Sequence, residues 1–134
     1  MRKMKIVLAI ILMSLAGVVM SEEVDPLSGA WKSDKGLTIS YIKSNRNTPP
    51  KTLEVYEKVL GKMLITFERG RVVTEFGGSV FDGKYTIEKV ENNAVHVKYD
   101  NEPEVLVWVV VDHNTLYLKV DNELLTREYF TRVQ

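Results

Sequence analysis

From Met63 onward the chain alternates apolar and polar residues with period two, in runs broken by short turns roughly every ten residues. Met63, Ile65 and Phe67 lie opposite Leu64, Thr66 and Glu68. Val72, Thr74 and Phe76 oppose Val73 and Glu75, and Tyr85 and Ile87 oppose Lys84, Thr86 and Glu88. Val95, Val97 and Tyr99 oppose Ala94, His96 and Lys98. Successive side chains of a strand point to opposite faces, so each run predicts a strand with one dry face. Val105 to Val111 is apolar throughout, with Trp108 near its centre, and predicts a strand covered on both faces. Leu116, Leu118 and Val120 form the next run, and Leu124 to Val133 the last. Arg69-Gly70, Gly77-Gly78, Asn92-Asn93, Asp112-His113-Asn114 and Asp121-Asn122-Glu123 carry residues that tolerate tight turns, and Pro103 marks a loop.

Ahead of this series, Gly29 to Ser33 predicts the first strand and Leu37 to Ile42 a second, separated by Asp34-Lys35-Gly36. Lys43 to Thr48 is polar. The spacing then predicts a helix over 49–61. Thr48 can cap it and Pro49 can occupy its first position, where the missing N–H costs nothing. Leu53, Tyr56, Val59 or Leu60, and Met63 recur on one helical face, Glu54 and Lys58 form an i,i+4 pair, and Gly61 supplies the stop. Sequential hairpins of this length predict an all-β fold: a small antiparallel up-and-down β-barrel of about eight strands with one short helix. An open β-sandwich is the alternative.

The first 21 residues predict an export signal. Arg2, Lys3 and Lys5 precede an apolar run from Ile6 to Met20, and Glu22-Glu23 follow Ser21. That run is shorter than a helix needs to cross roughly 30 Å of hydrocarbon. Cleavage after Ser21 gives a periplasmic or secreted protein with a flexible leader at 22–26 and one domain at 27–134; retention as a signal anchor is the alternative. The sequence has no cysteine, so neither lipid attachment at the cleavage site nor a disulfide is available. A disulfide-free exported domain fits a bacterial envelope. Three of the 18 basic residues belong to the signal and none of the 18 acidic ones, which leaves 15 basic against 18 acidic from Glu22 onward. That balance argues against nucleic acid and against stable membrane association after cleavage.

Nothing in the sequence predicts catalysis. There is no thiol nucleophile, no H-E-x-x-H and no phosphate loop. His96 falls on an outward-reading position and His113 in a turn, with no serine spaced to use either. The acidic loops at Asp100, Glu102 and Glu104 and at Asp121 and Glu123 lack the glycine-containing pattern of a calcium site and read as solvated turns. No metal or other cofactor is expected.

Leu27-Ser28-Gly29-Ala30-Trp31 places a Gly-x-Trp at the start of the first strand. In this the chain resembles the lipocalin superfamily and small bacterial lipocalin-like domains. The resemblance implies a barrel whose floor is closed by Trp31, with Gly29 beside it and an arginine of the last strand packed across the ring. Arg127 and Arg132 both lie on that strand, five apart and so on opposite faces. Arg127 is the expected partner, because Leu125, Tyr129 and Val133 share its face. The strand aromatics either fill the interior or, if the barrel is wider at one end, place Tyr41, Tyr85 and Tyr99 around a mouth, with Val97 on the inward-reading face beside Val95 and Tyr99. The function expected from this is an exported binding protein for a small apolar ligand or peptide. The alternative is a protein-interaction module, such as an inhibitor or immunity protein acting on an envelope enzyme through the exposed segment Lys43 to Thr48.

Overall fold

The computed structural model describes residues 25–45, 47–120 and 126–134. Residues 1–24, where the sequence predicts an export signal and part of a leader, Arg46, and residues 121–125, where it predicts a turn, lie outside the described residues. The elements in chain order are β1 (Gly29–Ser33), α1 (Lys35–Asn45), α2 (Pro50–Val59), β2 (Leu64–Glu68), β3 (Arg71–Phe76), β4 (Ser79–Glu91), β5 (Ala94–Tyr99), β6 (Val105–Asp112), β7 (Thr115–Lys119) and β8 (Arg127–Arg132). Among the described residues, eight antiparallel strands close into a barrel in sequence order, with β8 returning to β1. The seam pairs Trp31 with Arg132, Lys32 with Thr131 and Ser33 with Phe130.

The hairpin turns at 69–70, 77–78, 92–93 and 113–114 fall where the sequence punctuates them. Arg69 and Gly70 take φ of +52° and +82°, and Gly77 and Gly78 take +57° and +85°, the left-handed pairs that match the twist of a two-residue hairpin. The inward face carries Ile65, Phe67, Val72, Tyr85, Val95, Val97, Tyr99, Trp108, Leu116 and Phe130, all buried. Three edge-to-face contacts link the large rings. Phe67 lies 5.1 Å from Tyr85 and 5.6 Å from Trp108, and Trp108 lies 5.2 Å from Phe130.

One end is shut by Trp31. Its ring has no exposed surface, and its indole N–H donates to the Leu27 carbonyl at 2.8 Å. The arginine across the ring is Arg132, whose guanidinium carbon sits 4.2 Å from the ring centroid, and not Arg127. Arg132 also donates to the carbonyls of His113 and Ser28 at 3.0 and 2.9 Å, tying β8, the β6–β7 turn and the start of β1 together. Gly29 stands at φ +125°, and a Cβ built there would lie 2.6 Å from an Arg132 nitrogen. A glycine at this position therefore leaves room for the guanidinium. Asp25, assigned to the flexible leader on sequence, is tied to this region: its carboxylate accepts from the Leu27 N–H at 2.9 Å and from the Tyr85 hydroxyl.

Leu37 to Ile42 is not a second strand but the body of α1. The Asp34 carboxylate caps that helix, accepting the Leu37 N–H at 2.9 Å. Where β1 stops at Ser33, the backbone of Tyr129 on β8 would otherwise lose its partners. The Asp34 N–H donates to the Tyr129 carbonyl at 2.8 Å, and the Thr38 hydroxyl accepts the Tyr129 N–H at 2.9 Å. The start of α1 thus replaces a continuation of β1. Ile39 and Ile42 pack with Leu60 into a second small core that takes in Leu53 and Tyr56 of α2. Thr48 does not cap α2; Pro49 holds the capping position, with no side-chain bond, and Pro50 begins the helix. The strand around Trp108 is dry on one face only, since Val105 and Val111 are exposed.

Candidate functional site

The interior is filled rather than hollow where the sequence placed a ligand. A side chain lining a water-sized void keeps surface accessible to it; Phe67, Val72, Val97, Leu116 and Phe130 keep none. Val97, read as a ligand contact, is therefore packed on all sides. Tyr85 is also buried, its ring against Phe67 and its hydroxyl donated to Asp25. Burial and the Asp25 carboxylate both push the Tyr85 phenol above its ordinary range. Val97→Phe is expected to overpack this core and lower stability by ~1–3 kcal/mol. A denaturant melt checks it, and an unchanged midpoint would mean that the packed interior has slack.

Tyr41 is not at a mouth. It lies on α1 against the outer wall, where the Arg127 guanidinium sits 4.6 Å from its ring centroid and 4.2 Å from that of Tyr117. Arg127 also donates to the Tyr129 hydroxyl at 3.0 Å, and the hydroxyls of Tyr41 and Thr126 are 3.1 Å apart. This outward cluster fastens α1 to the barrel.

Strand direction locates the other end. The end opposite Trp31 is formed by the last residues of β1, β3, β5 and β7 and the first residues of β2, β4, β6 and β8. A cleft of about 320 Å³ opens there, walled by Thr74 of β3, Phe81 of β4, Tyr99 of β5 and Leu106 of β6, with Asn101, Glu102 and Glu104 of the β5–β6 loop at its rim. Thr74 and Phe81 face each other across the β3–β4 ladder, and Leu106 pairs with Val97. Alternation therefore puts all four wall residues on the barrel's inner side. Of the four sequence-predicted ligand residues, only Tyr99 reaches this cleft. Burial raises its phenol to about 12, against an opposing pull from the nearby Trp108 N–H, so the hydroxyl stays neutral and available as a donor. Trp108 Nε1 itself is buried, with no acceptor in hydrogen-bonding geometry among the described residues.

The same end holds Glu128, whose carboxylate accepts the Ser33 hydroxyl at 2.8 Å. Ser33 in turn accepts the Gly61 N–H at 3.0 Å, linking β8, β1 and the exit from α2. Burial raises the Glu128 carboxyl, and the serine bond only partly opposes it. His96 points outward, 3.9 Å from the Glu91 carboxylate.

Thr74, Phe81 and Leu106 were absent from the sequence-predicted site. They stand near strand ends in runs that also supply core residues, and periodicity gives a face but not a height in the barrel. No protein-family model matches this sequence, and no curated protein sequence does.

Proposed function

We propose that the protein is a non-enzymatic binding protein of the cell envelope that holds a small apolar group at the open end of its barrel. The observation that carries this reading is the cleft walled by Thr74, Phe81, Tyr99 and Leu106, whose surface is largely apolar. At about 320 Å³ it is at the low end of small-molecule sites, enough for one ring or a short chain. Its floor is the packed aromatic core, so a ligand rests on the barrel rather than passing into it. Tyr99 offers a hydroxyl among apolar walls, one polar handle to orient what binds.

The test is saturable binding of a neutral fluorescent probe, N-phenyl-1-naphthylamine, whose emission rises on leaving water. Leu106→Gln puts an amide into the apolar wall and is expected to weaken probe binding about tenfold or more, in line with ~1–3 kcal/mol for burying a poorly paired polar group. The melt of the variant reports whether the barrel is intact. No saturable enhancement with the wild type would sink the reading.

A protein-interaction role is the second reading. It draws on the apolar side chains that flank the Gly77-Gly78 turn, where Phe76 is 42% and Val80 64% exposed. Lys32 and Lys62 border the same surface. Co-purification of an envelope enzyme that is released by Val80→Asp would favour this reading over the first.

A further inference from the structure

We infer that the ligand of the barrel mouth is a small amphiphilic amine, an apolar or aromatic group bearing a protonated nitrogen. This rests on the reading of the mouth as a binding site and adds the charge of what it takes. The rim loop between β5 and β6 carries Asp100, Glu102 and Glu104, and the last two border the cleft. Among the described residues neither Glu102 nor Glu104 forms an ion pair. Two basic residues meet this loop: Lys98, on the outward side of β5, spends its ammonium on the Glu102 carbonyl at 2.8 Å, and Lys84 of β4 accepts the Asp100 N–H on its carbonyl at 3.1 Å. Two basic residues against three carboxylates leave the loop with a net negative charge. Arg71, on the neighbouring face of the β3–β4 hairpin, is held by Asp82.

An apolar group seated against Phe81 and Leu106 therefore presents its head to a rim of net negative charge. An ammonium there meets Glu102 and Glu104, while a carboxylate would be repelled by both. The cleft admits a chain or single ring with its nitrogen at the rim, not a bulky polycation. Fatty acids, the other amphiphiles of this size, carry the wrong sign.

The experiment is displacement of bound N-phenyl-1-naphthylamine from the full-length mature protein by octylamine, octanol and octanoate at neutral pH. The three share a tail and differ in head charge. Octylamine is expected to displace about fivefold more tightly than octanol, since two exposed carboxylates supply on the order of 1 kcal/mol together, and octanoate is expected to be weakest. The difference should shrink in high salt. It should also shrink in the Glu102→Gln/Glu104→Gln double variant, whose exposed positions leave the fold undisturbed. Equal displacement by all three, or tighter displacement by octanoate, overturns the inference while leaving the mouth as an apolar site. A probe that does not bind the wild type overturns both. The salt series on the unaltered protein separates charge preference from tail binding without any variant.

Discussion

Trp31→Ala is expected to remove ~3–5 kcal/mol, as truncation of a fully buried large aromatic does. The ring has no exposed surface, so the lost transfer energy is that of the whole side chain. Truncation also frees the Leu27 carbonyl from its indole donor and leaves the Arg132 guanidinium without the ring it stacks on. A domain of this size has a total of only ~5–15 kcal/mol, and no disulfide restrains its unfolded chain. The variant is therefore expected to unfold at far lower denaturant. Arg132→Ala should cost less, about 0.5–2 kcal/mol for the stacked cation. A Trp31→Ala loss below about 1 kcal/mol in a denaturant melt would deny the floor its structural role.

Phe67→Ala is the second large effect, again ~3–5 kcal/mol, because Phe67 touches both Tyr85 and Trp108 and its loss leaves a hole that neither ring can close. It also separates the interior from the mouth. A dry cavity lined by aromatic and aliphatic groups admits a small apolar molecule. Benzene should raise the midpoint of Phe67→Ala by more than that of the wild type, which can take it only at the mouth. An equal benzene shift in the wild type would mean that the natural barrel is already hollow.

The barrel was legible because its information is local. Period-two runs and left-handed turn residues such as Arg69-Gly70 and Gly77-Gly78 specify hairpins, and sequential hairpins specify an up-and-down sheet. Leu37 to Ile42 misleads by the same logic: Leu37, Ile39 and Tyr41 alternate with Thr38 and Ser40. The signal that outweighs the alternation is Asp34, placed three residues before Leu37, where a carboxylate caps a helix. The stronger determinant is tertiary, since Thr38 and Asp34 satisfy the backbone of Tyr129 only as α1 begins there.

The arginine assignment failed for a related reason. Arg127 and Arg132 do lie on opposite faces, as their spacing requires. Tyr129 on the Arg127 face read as an inward aromatic, yet the inward ring is Phe130. Tyr129 is covered from outside, 6.0 Å from Tyr41 and 5.3 Å from Tyr117. An outer face roofed by a helix has the composition of an inner one. The mouth was only partly legible, through Tyr99, because height along the barrel depends on stagger between strands, which single runs do not encode.

The seam between β1 and β8 bears on how the chain reaches this state. Every other ladder joins strands adjacent in sequence, whereas Trp31 and Arg132 are roughly a hundred residues apart. Contacts of such separation form slowly, because the chain must be ordered before they reward it. Until they form, the sheet carries two open edges with unpaired N–H and C=O groups, the template on which other chains add. Both edges are charged, with Lys32 on one and Arg127, Glu128 and Arg132 on the other. Charges on an open edge discourage pairing with strangers. Arg132 on β8 thus guards an edge against aggregation while the barrel is open and stacks on Trp31 once it has closed.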